Sequence, residues 1–148
     1  MEQTAPALTR ELQVDRNGME VLDVDECLRL LASGHVGRVA LSIDALPVIL
    51  PVNYLARGRT IIFRTSPGSK LDAAVRHHVV AFEVDSIDPL YHEGWSVLAT
   101  GRADQITDPA ELAEVESLPL VPWAPRAGHS WVRINAELVS GRRLRHVA

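Results

Sequence analysis

The sequence predicts a mainly β fold, an antiparallel β-barrel of about six strands with short helices. Three observations point to it. Apolar and polar residues alternate with a period of two over residues 36–43, 60–65, 79–85, 94–106 and 130–139. The links between neighbouring strands read as hairpin turns, such as Asp44-Ala45 and Arg57-Gly58-Arg59, rather than helical crossovers. The helical patterns are short and do not alternate regularly with the strands, which disfavours a doubly wound sheet. At 148 residues the chain is long enough for a single domain with its own core.

Residues 1–18 show no sustained period and end in the turn signal Arg16-Asn17-Gly18; they read as a flexible N-terminal arm, with residues 19–148 as one domain. Met19–Leu22 fits either a short strand or a connecting segment. Asp23 and Asp25 are candidate caps for a helix through Ala32 that turns Leu28 and Leu31 to one face and ends at Ser33-Gly34. In Val36–Ile43, Val39, Leu41 and Ile43 alternate with Arg38, Ala40 and Ser42, as in a half-buried strand. Leu46–Leu55 is apolar on both faces and is expected to be covered on both, one of them by a partner subunit. Its prolines, Pro47 and Pro51, belong at an edge or bulge because they cannot donate to a ladder.

A strand over Thr60–Thr65 leads through Pro67-Gly68 into a short helix at Leu71–Arg76, and Val79–Asp85 is the next strand. In Gly94–Ile106 the small residues Ala99, Gly101 and Ala103 share a face with Trp95 and Val97, leaving room for something flat or bulky over it. Asp108-Pro109-Ala110-Glu111 is a strong helix start. A proline-rich loop with Trp123, a last strand over Ser130–Val139 and a basic tail, Gly141–His146, complete the chain.

Composition excludes several classes of function. A formal net charge of −4 gives no overall basic surface for nucleic acid. The longest apolar run, Ala45–Ala56, contains two prolines and an asparagine and is too short to span a bilayer. The N-terminus lacks the basic start and apolar block of a signal peptide. A cytoplasmic protein that works without a membrane is therefore expected. The single cysteine, Cys27, lies in the apolar pattern of the first helix and reads as core.

The stretch Thr60–Leu71, TIIFRTSPGSKL, carries the most chemistry. Backbone amides at a helix start favour an anion, and Ser69 and Lys70 add a hydroxyl and a positive charge. Arg64, near the end of the preceding strand, can offer a planar fork to the same oxyanion. The combination reads as a phosphate seat. The same residues also fit an ordinary surface turn with a solvated Arg64.

The order of motifs resembles the pyridoxamine 5′-phosphate oxidase-like flavoproteins, in particular the divergent branch that includes nitroimidazole-resistance proteins. The resemblance rests on Gly37-Arg38-Val39-Ala40, Pro51-Val52-Asn53-Tyr54, Phe63-Arg64-Thr65 with Gly68-Ser69-Lys70, Ala81–Asp85, Gly94-Trp95-Ser96-Val97 with Gly101-Arg102, and Trp131-Val132-Arg133-Ile134. It implies a six-stranded split β-barrel that binds FMN at the interface of a homodimer. By position, Arg64, Ser69 and Lys70 would hold the FMN phosphate. Pro51, Val52 and Asn53 would run beside the isoalloxazine ring, and Thr65 and Ser66 would support the ribityl chain or ring. Trp95, Val97, Trp131 and Arg133 would contribute from the other side or the other subunit. True oxidases of the family end in a basic, proline-containing motif that grips pyridoxamine phosphate. Gly141–His146 does not match it, so vitamin B6 oxidation is not expected.

The resemblance implies an FMN-dependent oxidoreductase acting on a small organic molecule, with a nicotinamide electron donor among its candidate partners. A second reading is a non-enzymatic carrier of flavin, deazaflavin or haem. A third, a structural dimer with an empty site, requires Arg64 and Lys70 to be paired with acids such as Glu83 or Asp85. The six histidines show no metal-ligand spacing, and no metal site is expected. His92, close to Trp95, is the one candidate proton donor. Glu83 and Asp85, two apart on one strand face, fit a solvated face or a pairing with Arg102 better than an acid–base pair.

Overall fold

The computed structural model describes residues 13–76, 78–120 and 130–146. Along the chain these form β1 (Glu20–Val21), α1 (Val24–Ser33), β2 (Val36–Ile43), β3 (Leu46–Arg57), β4 (Thr60–Thr65), α2 (Lys70–Val75), β5 (His78–Asp88), β6 (Glu93–Gln105), α3 (Pro109–Glu116) and β7 (Ser130–Leu144). The strands are antiparallel and ordered β1-β7-β4-β3-β2-β5-β6, and β6 returns to pair with β7. Strands β2 to β7 thus close the expected six-stranded ring. The seventh, β1, is a two-residue strand paired with Arg142 and Arg143 near the end of β7.

The barrel is split along β3. From Leu46 to Asn53 this strand pairs with β2, and from Tyr54 to Arg57 it pairs with β4. Beyond Phe63, β4 leaves β3 and continues to Thr65 on β7. The two strands therefore part at Asn53 and Arg64. Pro47 and Pro51 lie in the half of β3 with one free side, where a missing N–H costs least. Of the two faces of β3 expected to be covered, the chain covers the inner one; Pro47, Ile49 and Pro51 of the other stay exposed, Ile49 by 67%.

The interior is filled by Val39, Tyr54, Ile61, Phe63, Phe82, Val97 and Ile134 among others, with Cys27, Leu30 and Leu31 of α1 packed against them. Tyr54 ties α1 to the barrel by donating to the Leu31 carbonyl at 2.5 Å, and burial pushes its phenol up to about 12. Burial likewise raises the Cys27 thiol, so it is a core residue. A second apolar cluster, Ile106, Val115, Leu120 and Trp131, lies beneath α3.

Four expectations are corrected. Ala99, Gly101 and Ala103 face the buried interior, not open space. A Cβ on Gly101 would lie 1.8 Å from the Asn135 carbonyl, where β6 and β7 shift register. Their small size serves close strand approach rather than a ligand. The basic segment 141–144 is strand, not tail; its Arg142 pairs with Asp15 and its Arg143 with Glu20 and Glu26. Residues 13–18 are tied down rather than loose, because Asp15 caps the turn to Met19 and Val14 bridges Glu20. Glu83 and Asp85 pair with Arg38, each at 3.4 Å, not with Arg102. Trp123, His77 and His129 lie outside the described residues.

Candidate functional site

The turn between β4 and α2 is organised by a carboxylate that the sequence reading does not single out. Asp72, 2% exposed, accepts hydrogen bonds from the Thr65 hydroxyl at 2.8 Å, the Gly68 amide at 3.1 Å and the Arg76 guanidinium at 3.3 Å. Burial pushes its carboxyl up, but hydrogen bonds from Ser130, Thr65 and the Gly68 amide, with the charge of Arg76, outweigh that and hold it below the usual carboxylate range. The signal for it is the Ser69-x-x-Asp72 spacing of a capping box. Ser69 caps α2, its hydroxyl accepting from the Asp72 amide at 3.0 Å. A hydroxyl used as an acceptor keeps its hydrogen to donate. Gly68 supplies the positive φ of +75° that the turn needs, and Lys70 opens the helix.

Arg64 projects from the other face of β4, opposite Trp131 of β7. Its guanidinium carbon sits 4.2 Å from the Trp131 ring centroid. The Nε atom of Arg64 is buried with no hydrogen-bond partner. No ion pair between described residues includes Arg64, so the pairing required for an empty structural site is not found for it. Trp131 is 1% exposed and held in the second apolar cluster. Arg133, two residues on, donates to Glu111 of α3.

On the β3 side of the split, Pro51 is exposed, Val52 is buried and Asn53 is half-buried. These residues and the Arg64–Lys70 segment flank the opening where β3 and β4 separate. Trp95 and Val97 are not brought to it. Trp95 pairs with Arg143, twelve residues along β7 from Trp131, or about 40 Å of strand. Val97 is fully buried in the barrel. Trp95 lines a separate cavity of about 250 Å³ with Ile87, Pro89, His92 and Leu144. His92 is exposed there with a φ of +52°.

A third group lies on the outer sheet face, where Arg38 stands across from Glu83. Burial, reinforced by the neighbouring Asp85, pushes the Glu83 carboxyl up to about 7 despite Arg38. Among the described residues no set of three His, Cys, Asp or Glu side chains is placed to hold a metal ion, and no helix is long and apolar enough to cross a membrane.

Residues 23–143 match the profile of the family described as pyridoxamine 5′-phosphate oxidase. The chain belongs to the pyridoxamine 5′-phosphate oxidase family. It is 43% identical over 128 residues to uncharacterized protein Rv0080 of Mycobacterium tuberculosis, covering 83% of this chain and 84% of that protein. The fold is similar to that of the FAD binding protein from Mycobacterium smegmatis, with a TM-score of 0.72, 37% identity, and coverage of 84% of this chain and 97% of that one. It is also similar to an FAD-binding protein from Mesorhizobium loti, with a TM-score of 0.69, 25% identity, and coverage of 85% and 98%. The pyridoxamine 5′-phosphate oxidase-like fold of this chain thus has flavin-binding neighbours.

Proposed function

We propose that the protein is a flavin-dependent oxidoreductase that binds FMN at the β3–β4 split and acts as a homodimer on a small organic molecule. The observation that carries this reading is Arg64, whose buried Nε lacks a partner beside the Thr65–Lys70 turn. A flavin phosphate supplies the oxyanion that this donor lacks. The relatives named for FAD support a flavin, and FAD, a flavin the sequence reading does not weigh, would bring a pyrophosphate to the same donors.

When bound, the flavin supplies the hydride or electron transfer. Arg64, Ser69 and Lys70 anchor its phosphate. Asn53 meets the polar edge of the ring, with Pro51 and Val52 alongside. Because its hydroxyl is committed to Asp72, Thr65 supports the cofactor through its backbone, next to Ser66. Trp95 and His92 lie too far from Trp131 along β7 for one chain to present both to one flavin, so they serve the cofactor of a second copy. There His92 is the candidate proton donor. The outer face of β3, β2, β5 and β6, where Ile49, Val36, Val79 and Leu98 are exposed in one chain, is the surface for that copy.

Oxidation of pyridoxamine phosphate is not proposed. Arg142, Arg143 and Arg145 are each paired with Asp15, Glu20 or Glu26, which leaves the C-terminal arginines committed rather than free for a substrate phosphate. A non-enzymatic carrier of flavin, deazaflavin or haem is the second reading, since two of the similar solved structures are named for FAD binding. Reduction of the bound flavin by a nicotinamide donor, followed by turnover of an organic acceptor, separates the two; binding without reduction by any donor favours the carrier. Replacing both Arg64 and Lys70 with Ala is expected to lose on the order of 2–5 kcal/mol of FMN affinity. Unchanged affinity would remove the proposed seat.

A further inference from the structure

We propose that Trp131 is a positioning residue that fixes Arg64 for the phosphate of a flavin and so sets the preference for phosphorylated flavins over riboflavin. The inference rests on the phosphate seat proposed above. A free arginine side chain samples many rotamers, and an oxyanion that binds it must order it first. Here that ordering precedes the ligand. The guanidinium lies 4.2 Å from the indole centroid, a distance at which the ring quadrupole attracts the cation.

The indole itself cannot easily move. Trp131 is 1% exposed and packed with Ile106, Val115 and Leu120, its carbonyl accepts from the Ile106 amide at 2.8 Å, and its strand position places it directly across from Arg64. Its buried Nε1 makes no hydrogen bond. A leucine or phenylalanine would fill the cluster without burying an unsatisfied donor, so the indole has no hydrogen-bonding purpose here. What it offers beyond bulk is the strongest aromatic face for a cation. Contact with the ring face uses none of the guanidinium N–H groups as hydrogen-bond donors to the indole, so the fork keeps its donors for an oxyanion.

The test compares FMN and riboflavin, which differ by the phosphate alone, as probes of the full-length protein. Their dissociation constants are measured by calorimetry for the natural protein, Arg64→Ala, Trp131→Phe and Trp131→Leu, with the melting temperature of each. The natural protein is expected to prefer FMN by about tenfold or more. Trp131→Leu should cut that preference about fivefold while riboflavin affinity holds, and Trp131→Phe, which keeps an aromatic face, should restore most of it. A merely structural role for Trp131 would instead weaken both ligands alike and follow the melting temperature. If Arg64→Ala lowers the preference but Trp131→Leu does not, the positioning role is wrong and the seat stands. If Arg64→Ala leaves the preference unchanged, the seat itself is wrong. Should Trp131→Leu fail to fold, Trp131→Met fills the cluster with an unbranched chain and carries the same expectation.

Discussion

Asp72 is buried and Glu83 half-buried, and their neighbours decide what that does to the proton. Asp72 is held below the usual range by its hydrogen bonds and Arg76. It therefore adds stability above the unfolded-state value of about 3.9, and this is lost as pH falls through the folded value. Asp72→Asn should lower the melting temperature at pH 7 and flatten its fall below pH 4, while Asp72→Ala, which strands Thr65 and the Gly68 amide, should cost about 3 kcal/mol by chemical denaturation. An unchanged acid limb in Asp72→Asn would show that other groups, such as Glu26, held at about 2 by Arg29 and Arg143, set the acid stability alone. Glu83 has the opposite sign. With its folded value at about 7, above about 4.3 when unfolded, the native state retains a proton that the unfolded chain releases. Stability then falls as pH rises between those values. Glu83→Gln should melt higher than the natural protein at pH 8 and equally at pH 4; the same offset at both pH values would contradict this.

At the scale of the elements, the close approach of β6 and β7 is the feature most sensitive to one atom. Gly101→Ala would place a methyl 1.8 Å from the Asn135 carbonyl, against backbone that cannot step aside. It should destabilise by about 3 kcal/mol or more, and full stability in that variant would contradict the register shift. The same strand shows what the sequence could and could not reveal. Period-two alternation located five of the six barrel strands, the sixth, Leu46–Leu55, being read from a run apolar on both faces, and Asp23 and Asp108 cap their helices as short-range chemistry predicts. Alternation does not say which strand closes the ring, so the small residues of β6 looked like an open ligand face. The arginines of 142–145 look solvated until Asp15, Glu20 and Glu26, more than a hundred residues earlier, are brought beside them. From its place before the turn, Arg64 reads in the sequence as a candidate anion ligand, the role proposed for it above. Its stacking on Trp131 depends on a strand pairing between distant segments, which local pattern does not encode.

For the whole molecule, the exposed apolar residues around Arg38 and Glu83 mark the face on which a second copy is proposed to sit. Light scattering at micromolar concentration should give twice the chain mass, and a monomer would count against a site completed by two chains. Ile49→Lys, at a position 67% exposed in one chain, should shift that mass toward the monomer with little loss of chain stability, as expected for a charge placed in an apolar interface. An unchanged dimer would place the contact elsewhere. Whether this barrel holds a phosphorylated flavin is read from the absorbance spectrum of the purified protein, taken as isolated and again after incubation with excess FMN or FAD and removal of free flavin. Flavin bands retained at close to one per chain are the predicted result. A protein that emerges without flavin, and also fails to retain FAD, would contradict the proposed flavin site.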